Sequence, residues 1–277
     1  MALALRQGEI LELARKVGRV EVDDLATRFA VTPQTIRKDL QALADQGYVD
    51  RVHGGAVVTS TVENLGYEAR RQLAHAAKRA IGQAAAALIP NHSSLLINIG
   101  TTTEEVASAL RHHQGLMVIT NNVNVVNILR PCRAIETIIA SGVVRHGDGG
   151  VVGEAAVQFI RGFKVDFAVI GASAIDGDGA LLDFDYREVS VARAILENAR
   201  RVVLVADRTK LQRTAPVRIG TVADVHSFVT DRLTDPHLRE RCAEAGVRVV
   251  ETDPVPAAVG RASRAVETPE TKAAADA

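Results

Sequence analysis

The sequence predicts an α/β protein in two parts: a winged helix-turn-helix at residues 1–58 and, beyond a connector at 59–66, an α/β domain with a mostly parallel sheet at 67–251. Three observations predict it. Three stretches with apolar residues at helical spacing, followed by a short alternating hairpin, crowd into the first 58 residues. Further along, continuous apolar runs such as Leu95-Leu96-Ile97 and Val202-Val203-Leu204-Val205 alternate with helical segments, as strands buried on both faces do. Thr59 to Leu65, between the two parts, is polar and without period.

Each element follows in turn. Ile10, Leu11, Leu13, Ala14 and Val17 fall on one helical face, and Gly18 stops the run. Val20 and Val22 pair as a short strand, after which Asp23 caps a second helix with Leu25, Ala26 and Phe29 inward. Thr32 is an N-cap, with Pro33 at the first helical position, where its missing N–H costs nothing. The third helix packs through Ile36, Leu40 and Leu43 and ends at Gly47. Tyr48 to Val52 then alternates as a strand, turning at His53-Gly54-Gly55 into Ala56-Val57-Val58. An alanine-rich helix runs from Tyr67 to Leu88 before Pro90, either as part of an assembly contact or buried in its own domain. Apolar runs at 94–99, 116–119, 135–139, 167–170 and 202–205 supply five strands. The tail, 252–277, lacks apolar period, is expected to be disordered and is given no role.

Composition narrows the function. A chain of 277 residues with 47% hydrophobic content is long enough to bury a sizeable core. Its 33 basic and 33 acidic side chains cancel, so a polyanionic partner has to be met by a local patch. Cys132 and Cys242 stand far apart, with no His or Cys at ligand spacing, which points to neither disulfide nor metal and fits a reducing cytoplasm. No stretch approaches the roughly 20 apolar residues of a membrane span. No cofactor is implied.

Two short helices joined at Ala30-Val31-Thr32, the second presenting Gln34, Thr35, Arg37, Lys38 and Gln41 outward, have the layout of a DNA-reading helix-turn-helix. The helix start and Thr32 or Thr35 suit a phosphate. Gln34, Arg37 and Lys38 suit base edges or backbone, and Arg51 and His53 in the wing suit the neighbouring backbone or minor groove. The alternative is a helical interaction module whose Arg37 and Lys38 pair with carboxylates on a solvated face.

In an open parallel sheet, ligands sit beyond the carboxyl ends of the strands. After Ile99 come Gly100, Thr101, Thr102 and Thr103, where a helix start turns N–H groups and hydroxyls toward an anion. Thr101 with Glu104, or Thr102 with Glu105, has equally the spacing of a capping box. Other strand ends offer Asn121 and Asn122, Asp176, the trio Asp183, Asp185 and Glu188, and finally Asp207 with Lys210. Lys210 and Arg145 would offset phosphate charge while the acids bond hydroxyls of a polyol. Singly, each acid or Asn also reads as a turn or cap.

The stretch "VTPQTIRKDLQALADQGYVDRVHGGAV" resembles the winged helix-turn-helix of the DeoR family of bacterial transcriptional regulators. "NIGTTTEEVASAL", "ITNNVNVVNIL", "GVVRHGDGGVVGEAA", "GASAIDGDGALLDFDYREV" and "LVADRTKLQR" are similar, in that order, to the family's sensor half. The resemblance implies a homo-oligomeric repressor, a dimer or tetramer, that holds double-stranded operator DNA and releases it when a phosphorylated metabolite binds. "DGGVVGEA" and "DFDYREV" look most like the members governing glycerol 3-phosphate use, which makes sn-glycerol 3-phosphate the expected effector. The same sheet-edge loops resemble sugar-phosphate isomerases, with "GTTTEE" like their phosphate loop and Glu188 where they keep a general base. Leu181 to Tyr186 carries no lysine to stabilise an enediolate, which argues for binding without chemistry and against an enzyme. A protein-interaction scaffold, the third class, would need an exposed apolar patch.

Overall fold

The structure, a computed structural model, describes residues 5–17, 19–46, 48–52, 54–58, 64 and 66–252. Gly18, Gly47 and His53, most of the connector, and the tail from 253 lie outside the described residues.

The head comprises α1 (Leu5–Val17), β1 (Arg19–Glu21), α2 (Val22–Phe29), α3 (Pro33–Asp45), β2 (Val49–Val52) and β3 (Gly55–Val58). Its core joins Ile10, Leu11 and Ala14 of α1 to Leu25, Ile36, Leu40 and Leu43. The second helix starts one residue before the expected cap: Val22 opens it and Glu21 stands at the N-cap without a side-chain bond. Val22 is buried, so packing rather than capping fixes that boundary. Ala30 ends α2 in the left-handed region, φ 51°, its N–H bonded to Ala26 and Thr27 carbonyls, and turns the chain into α3. The wing is a three-stranded antiparallel sheet in the order β1-β3-β2. A Cβ at Gly55 would stand 2.0 Å from the Val20 carbonyl oxygen, so only glycine lets β3 close on β1.

The region read as one helix from 67 to 88 is two, α4 (Tyr67–Gln72) and α5 (His75–Ala86). Ala74 at φ 53° breaks it, a conformation that no continuous helix contains. After α5 come β4 (Ser94–Ile97), α6 (Thr101–Leu110), β5 (Leu116–Thr120), α7 (Val123–Leu129), β6 (Ile135–Ile139), β7 (Val143–Val144), β8 (Val151–Val152), α8 (Glu154–Arg161) and β9 (Val165–Ile170). The chain continues through β10 (Ala174–Ile175), β11 (Ala180–Asp183), α9 (Tyr186–Glu197), β12 (Ala199–Val205), a 3-10 turn at Arg208–Gln212, β13 (Val217–Thr221), β14 (Ser227–Thr230), α10 (Pro236–Glu244) and β15 (Arg248–Glu251).

Seven strands form one sheet in the order β15-β14-β12-β9-β4-β5-β6, every neighbouring pair parallel. Alternate residues feed opposite cores. Leu96, Ala168, Val202 and Leu204 meet α8, α9 and α10, whereas Leu95, Ile97, Val169 and Val203 meet α5, α6 and α7. β10, β11 and β13 make a separate antiparallel sheet on one side. From β4 the chain winds outward through β5 to β6, returns to β9 on the other flank of β4, and winds the opposite way to β15. The strand order therefore reverses between β4 and β9, and the crevice beyond their carboxyl ends is the natural ligand position.

Candidate nucleic-acid interface and effector site

In the head, Thr32 Oγ1 accepts from the Thr35 amide at 3.2 Å and meets Thr35 Oγ1 at 3.0 Å, which fixes the first turn of α3. Ile36, Asp39, Leu40 and Leu43 face inward, leaving Gln34, Arg37, Lys38 and Gln41 exposed on the other side. Asp39 is held by Arg6 at 2.6 Å and Gln7 at 3.3 Å, tying α1 to α3. Arg37 and Lys38 make no ion pair among the described residues. Arg51 of the wing donates to the Arg37 carbonyl at 3.3 Å and to Gln41 Oε1 at 3.2 Å, clamping β2 against α3. Gln34, Arg37, Lys38, Gln41 and Arg51 thus share one exposed polar face.

At the crevice, α6 starts at Gly100, φ 149°, an angle open to glycine and costly for other residues. The expected capping box is absent: the N-cap makes no side-chain bond, and Glu104 instead accepts from Tyr67 at 2.8 Å and from Asn122 and Asn124, both at 3.0 Å. Thr103 Oγ1 turns back to the carbonyls of Asn98 and Gly100, at 2.7 and 2.8 Å. Thr101 Oγ1 reaches the Arg70 carbonyl at 3.5 Å, and Thr102 is buried beside it.

Four cations gather around this helix start. Lys78 on α5 is 2% exposed and donates to the Arg70 carbonyl; Lys210, in the 3-10 turn after β12, is 8% exposed. Burial pulls Lys78 down to about 8, with Asp207 opposing and Arg70 adding to the fall. Burial, then the charge of Arg213, pulls Lys210 down to about 7. Arg213 is itself lowered by burial and by Arg70. Arg213, Lys78 and Arg70 all act on Lys210, and Arg70 acts on both Lys78 and Arg213, with Asp207 as a counter-charge to Lys78, Lys210 and Arg213. Arg70 Nε, Arg213 Nη1 and Asp207 Oδ2 are buried without a hydrogen-bond partner among the described residues, as is Asn98 Oδ1 at the end of β4. Like charges crowded into low dielectric, with donors left over, are what an anion would relieve.

The opposite pole is acidic. Arg145 donates to Asp148 at 2.6 and 2.8 Å, to Asp185 at 3.0 Å and to Glu188 at 2.6 Å, so its charge is already matched by carboxylates. Burial and the charge of Asp183 push Glu188 up to about 7, against the pull of Arg145. Burial opposes the ionisation of Asp148, but Arg145 outweighs it and holds Asp148 below the usual carboxylate range. Arg70 bridges the poles, its Nη2 donating to Asp148 Oδ2 at 3.1 Å while its charge reaches Lys78 and Lys210.

Of the residues the sequence singles out, Thr101, Thr102 and Lys210 fall at the cationic pole, and Asp183, Asp185, Glu188 and Arg145 at the acidic one. Asn121 is buried beside β8, donating to the Val151 carbonyl at 3.1 Å with its Oδ1 unpartnered. Asp185, Asn122 and Asp207 also cap the elements that follow them. Asp176 lies apart, in the β10–β11 turn where its backbone pairs with Ala180 and Gly179. Sequence reasoning missed Arg70, Lys78, Asp148 and Arg213. Lys78 left a signal: it is in phase with Ile81 and Ala85 on the buried face of α5.

Residues 73–232 match the DeoR C-terminal sensor domain, and residues 6–62 match the DeoR-like helix-turn-helix domain. The chain belongs to the DeoR family of transcriptional regulators. It is 45% identical over 230 residues to the glycerol-3-phosphate regulon repressor of Haemophilus influenzae, covering 83% of this chain and 90% of that one. It is 43% identical over 243 residues to the same-named repressor of Escherichia coli K12, covering 84% and 96%. The HTH-type transcriptional repressor CsqR of Escherichia coli K12 is 37% identical over 88% of this chain and 94% of its own. A ribose 5-phosphate isomerase from Methanocaldococcus jannaschii aligns with a TM-score of 0.38 and 14% identity, over 50% of this chain and 55% of that one. As a DeoR-family protein the chain is a DNA-binding regulator with a small-molecule sensor rather than an enzyme. Among the described residues no helix is long and apolar enough to cross a membrane.

Proposed function

We propose that this regulator represses a glycerol or carbohydrate catabolic regulon in the cytoplasm and leaves its operator when sn-glycerol 3-phosphate occupies the β4–β9 crevice. The observation that carries the reading is the cation cluster, buried Lys78 and Lys210 with half-buried Arg70 and Arg213, two of whose guanidinium nitrogens are buried and lack partners among the described residues. The phosphate sits among these cations and the amides of Thr101 to Thr103, where charge-assisted bonds in low dielectric are strongest. The glycerol hydroxyls face Glu104, Asn124 and the Asp148 loop, whose acceptors suit a polyol. The names of the relatives at 45% and 43% identity support the same effector.

In the head, α3 enters the major groove with Gln34, Arg37 and Lys38 forward, Thr32 and Thr35 at a phosphate, and Arg51 and His53 on the flanking backbone. One small head on a chain of zero net charge binds weakly. Two copies in a dimer, or pairs within a tetramer, put heads on half-sites about 34–36 Å apart and gain through effective concentration.

Calorimetric titration of the full chain tests the effector. sn-Glycerol 3-phosphate should bind at least tenfold more tightly than glycerol or inorganic phosphate, because only it fills both poles. Equal affinity for inorganic phosphate and sn-glycerol 3-phosphate would confine recognition to the cations, and no binding of either would remove the site.

A further inference from the structure

Of the two arginines of the cation cluster, Arg213 reaches the segment that joins sensor to head and Arg70 stands on the helix that follows it. Arg213 Nη2 donates to Asn64 Oδ1 at 3.0 Å, and Asn64 Nδ2 donates onward to Ser173 Oγ at 2.9 Å. Asn64 belongs to the connector. Arg70 sits on α4, the first helix after the connector, and α4 lies against α1 of the head. Arg70 holds α4 to the sensor through Asp148 at 3.1 Å, while its carbonyl accepts from Lys78 Nζ and, at 3.5 Å, from Thr101 Oγ1. Each guanidinium therefore has one nitrogen tied to the connector or to the α4 anchorage and another, Arg70 Nε or Arg213 Nη1, buried with no partner among the described residues.

We propose that Arg70 and Arg213 are the residues that couple effector binding to the head: an anion in the cluster captures their partnerless nitrogens and draws them off Asp148 and Asn64. This rests on the effector reading above. A guanidinium is a rigid planar fork, so turning one nitrogen toward a new acceptor displaces the others. A phosphate dianion outcompetes the neutral amide oxygen of Asn64 for a cationic donor. Asp148 tolerates the loss, because Arg145 still gives it two bonds, at 2.6 and 2.8 Å, and the Gly150 amide a third at 3.2 Å. No buried carboxylate is stranded when Arg70 leaves, which keeps the switched arrangement within reach. With these two ties exchanged for the anion, the connector at Asn64 and α4 are re-anchored rather than freed, since Asn64 keeps Ser173 and the Arg70 carbonyl keeps Lys78, and the head carried on them changes its docking geometry.

The test compares the full-length wild type with Asn64→Ala, using sn-glycerol 3-phosphate and a DNA fragment selected on the wild-type protein. Asn64→Ala should bind the effector within about threefold of wild type and retain DNA without it. The effector-driven drop in DNA affinity should shrink from about tenfold or more to under about threefold. Hydrogen exchange of peptides covering residues 64–72 should change on adding effector to the wild type. An undiminished drop in Asn64→Ala, or unchanged exchange in those peptides while effector binds, overturns the coupling assignment and leaves the site standing. Failure of the wild type to bind sn-glycerol 3-phosphate overturns the effector reading and the coupling with it.

Discussion

Head and sensor both offer cations to a phosphate, and they do so in opposite ways. On α3, Arg37 and Lys38 stand in water with no carboxylate partner among the described residues. In the sensor, Lys78 and Lys210 are sealed inside and held at about 8 and about 7 by burial. The size of the partner explains the difference. A DNA duplex is too large to enclose, so its charge is met at the surface, where affinity comes from released counterions and falls with salt. A small anion can be enclosed, and low dielectric then multiplies each contact, at the cost of keeping desolvated cations in the unliganded fold. The head's cations cost the fold little, whereas the sensor's are a standing cost that the proposed effector would relieve.

The sharpest way to break the contrast is Lys210→Met. Effector affinity should fall about 100-fold or more, since one partner of a buried charged contact is removed. The same variant should be more stable than wild type by about 1–3 kcal/mol in denaturant melts at pH 7, because a buried cation is replaced by an apolar side chain. Lost stability would mean that Lys210 is structurally satisfied. Arg37→Ala should do the reverse, weakening DNA binding by about 1–3 kcal/mol in mobility-shift titrations. Its melt and its effector-induced thermal shift should stay within about 0.5 kcal/mol of wild type, as expected for an exposed substitution.

Acidity separates the two regions as well. Both lysines are lowered from 10.5, so raising pH from 7 to 9 discharges them in the folded chain and should weaken effector binding about tenfold by calorimetry. DNA retention without effector uses neither Lys78 nor Lys210 and should change less. For stability the sign is the other way: between about 7 and 10.5 the unfolded chain binds more protons at Lys210 than the folded one, so its destabilising effect is lifted as pH rises. Lys210→Met should flatten that rise. The smallest effect is Thr32→Ala, which removes the cap on α3 and should lower the head's stability by about 1 kcal/mol in thermal melts.

Elements with a strong local signature were legible in the sequence. α3 is announced by Thr32-Pro33 and by Ile36, Leu40 and Leu43 at helical spacing, and five of the seven parallel strands by their apolar runs. β14 and β15 escaped because each holds only two apolar residues, Phe228-Val229 and Val249-Val250, between polar ends, too short a run to stand out, and those of β15 are only half-buried at the sheet's edge. The break at Ala74 left no trace either, since alanine is the strongest helix former and signals continuation rather than a stop. The site was half legible. Residues just beyond strand ends, such as Thr101 and Lys210, follow from the topology of any open parallel sheet. Arg70, Lys78, Asp148 and Arg213 come from α4, α5 and loops whose approach to the crevice depends on tertiary packing, which periodicity does not encode. Arg145 shows the limit of residue type alone: an arginine beside a candidate phosphate site turns out to be matched by three carboxylates.

Linkage supplies the most direct test of the central claim. If one equilibrium joins the crevice to α3, sn-glycerol 3-phosphate must weaken DNA binding by the same factor as DNA weakens sn-glycerol 3-phosphate binding. Calorimetry of the effector with and without saturating DNA, beside mobility-shift titrations with and without saturating effector, measures both. We predict equal factors of about five- to 150-fold, the usual range of coupling between sites. A factor of one in either direction, with both ligands bound, would contradict the account.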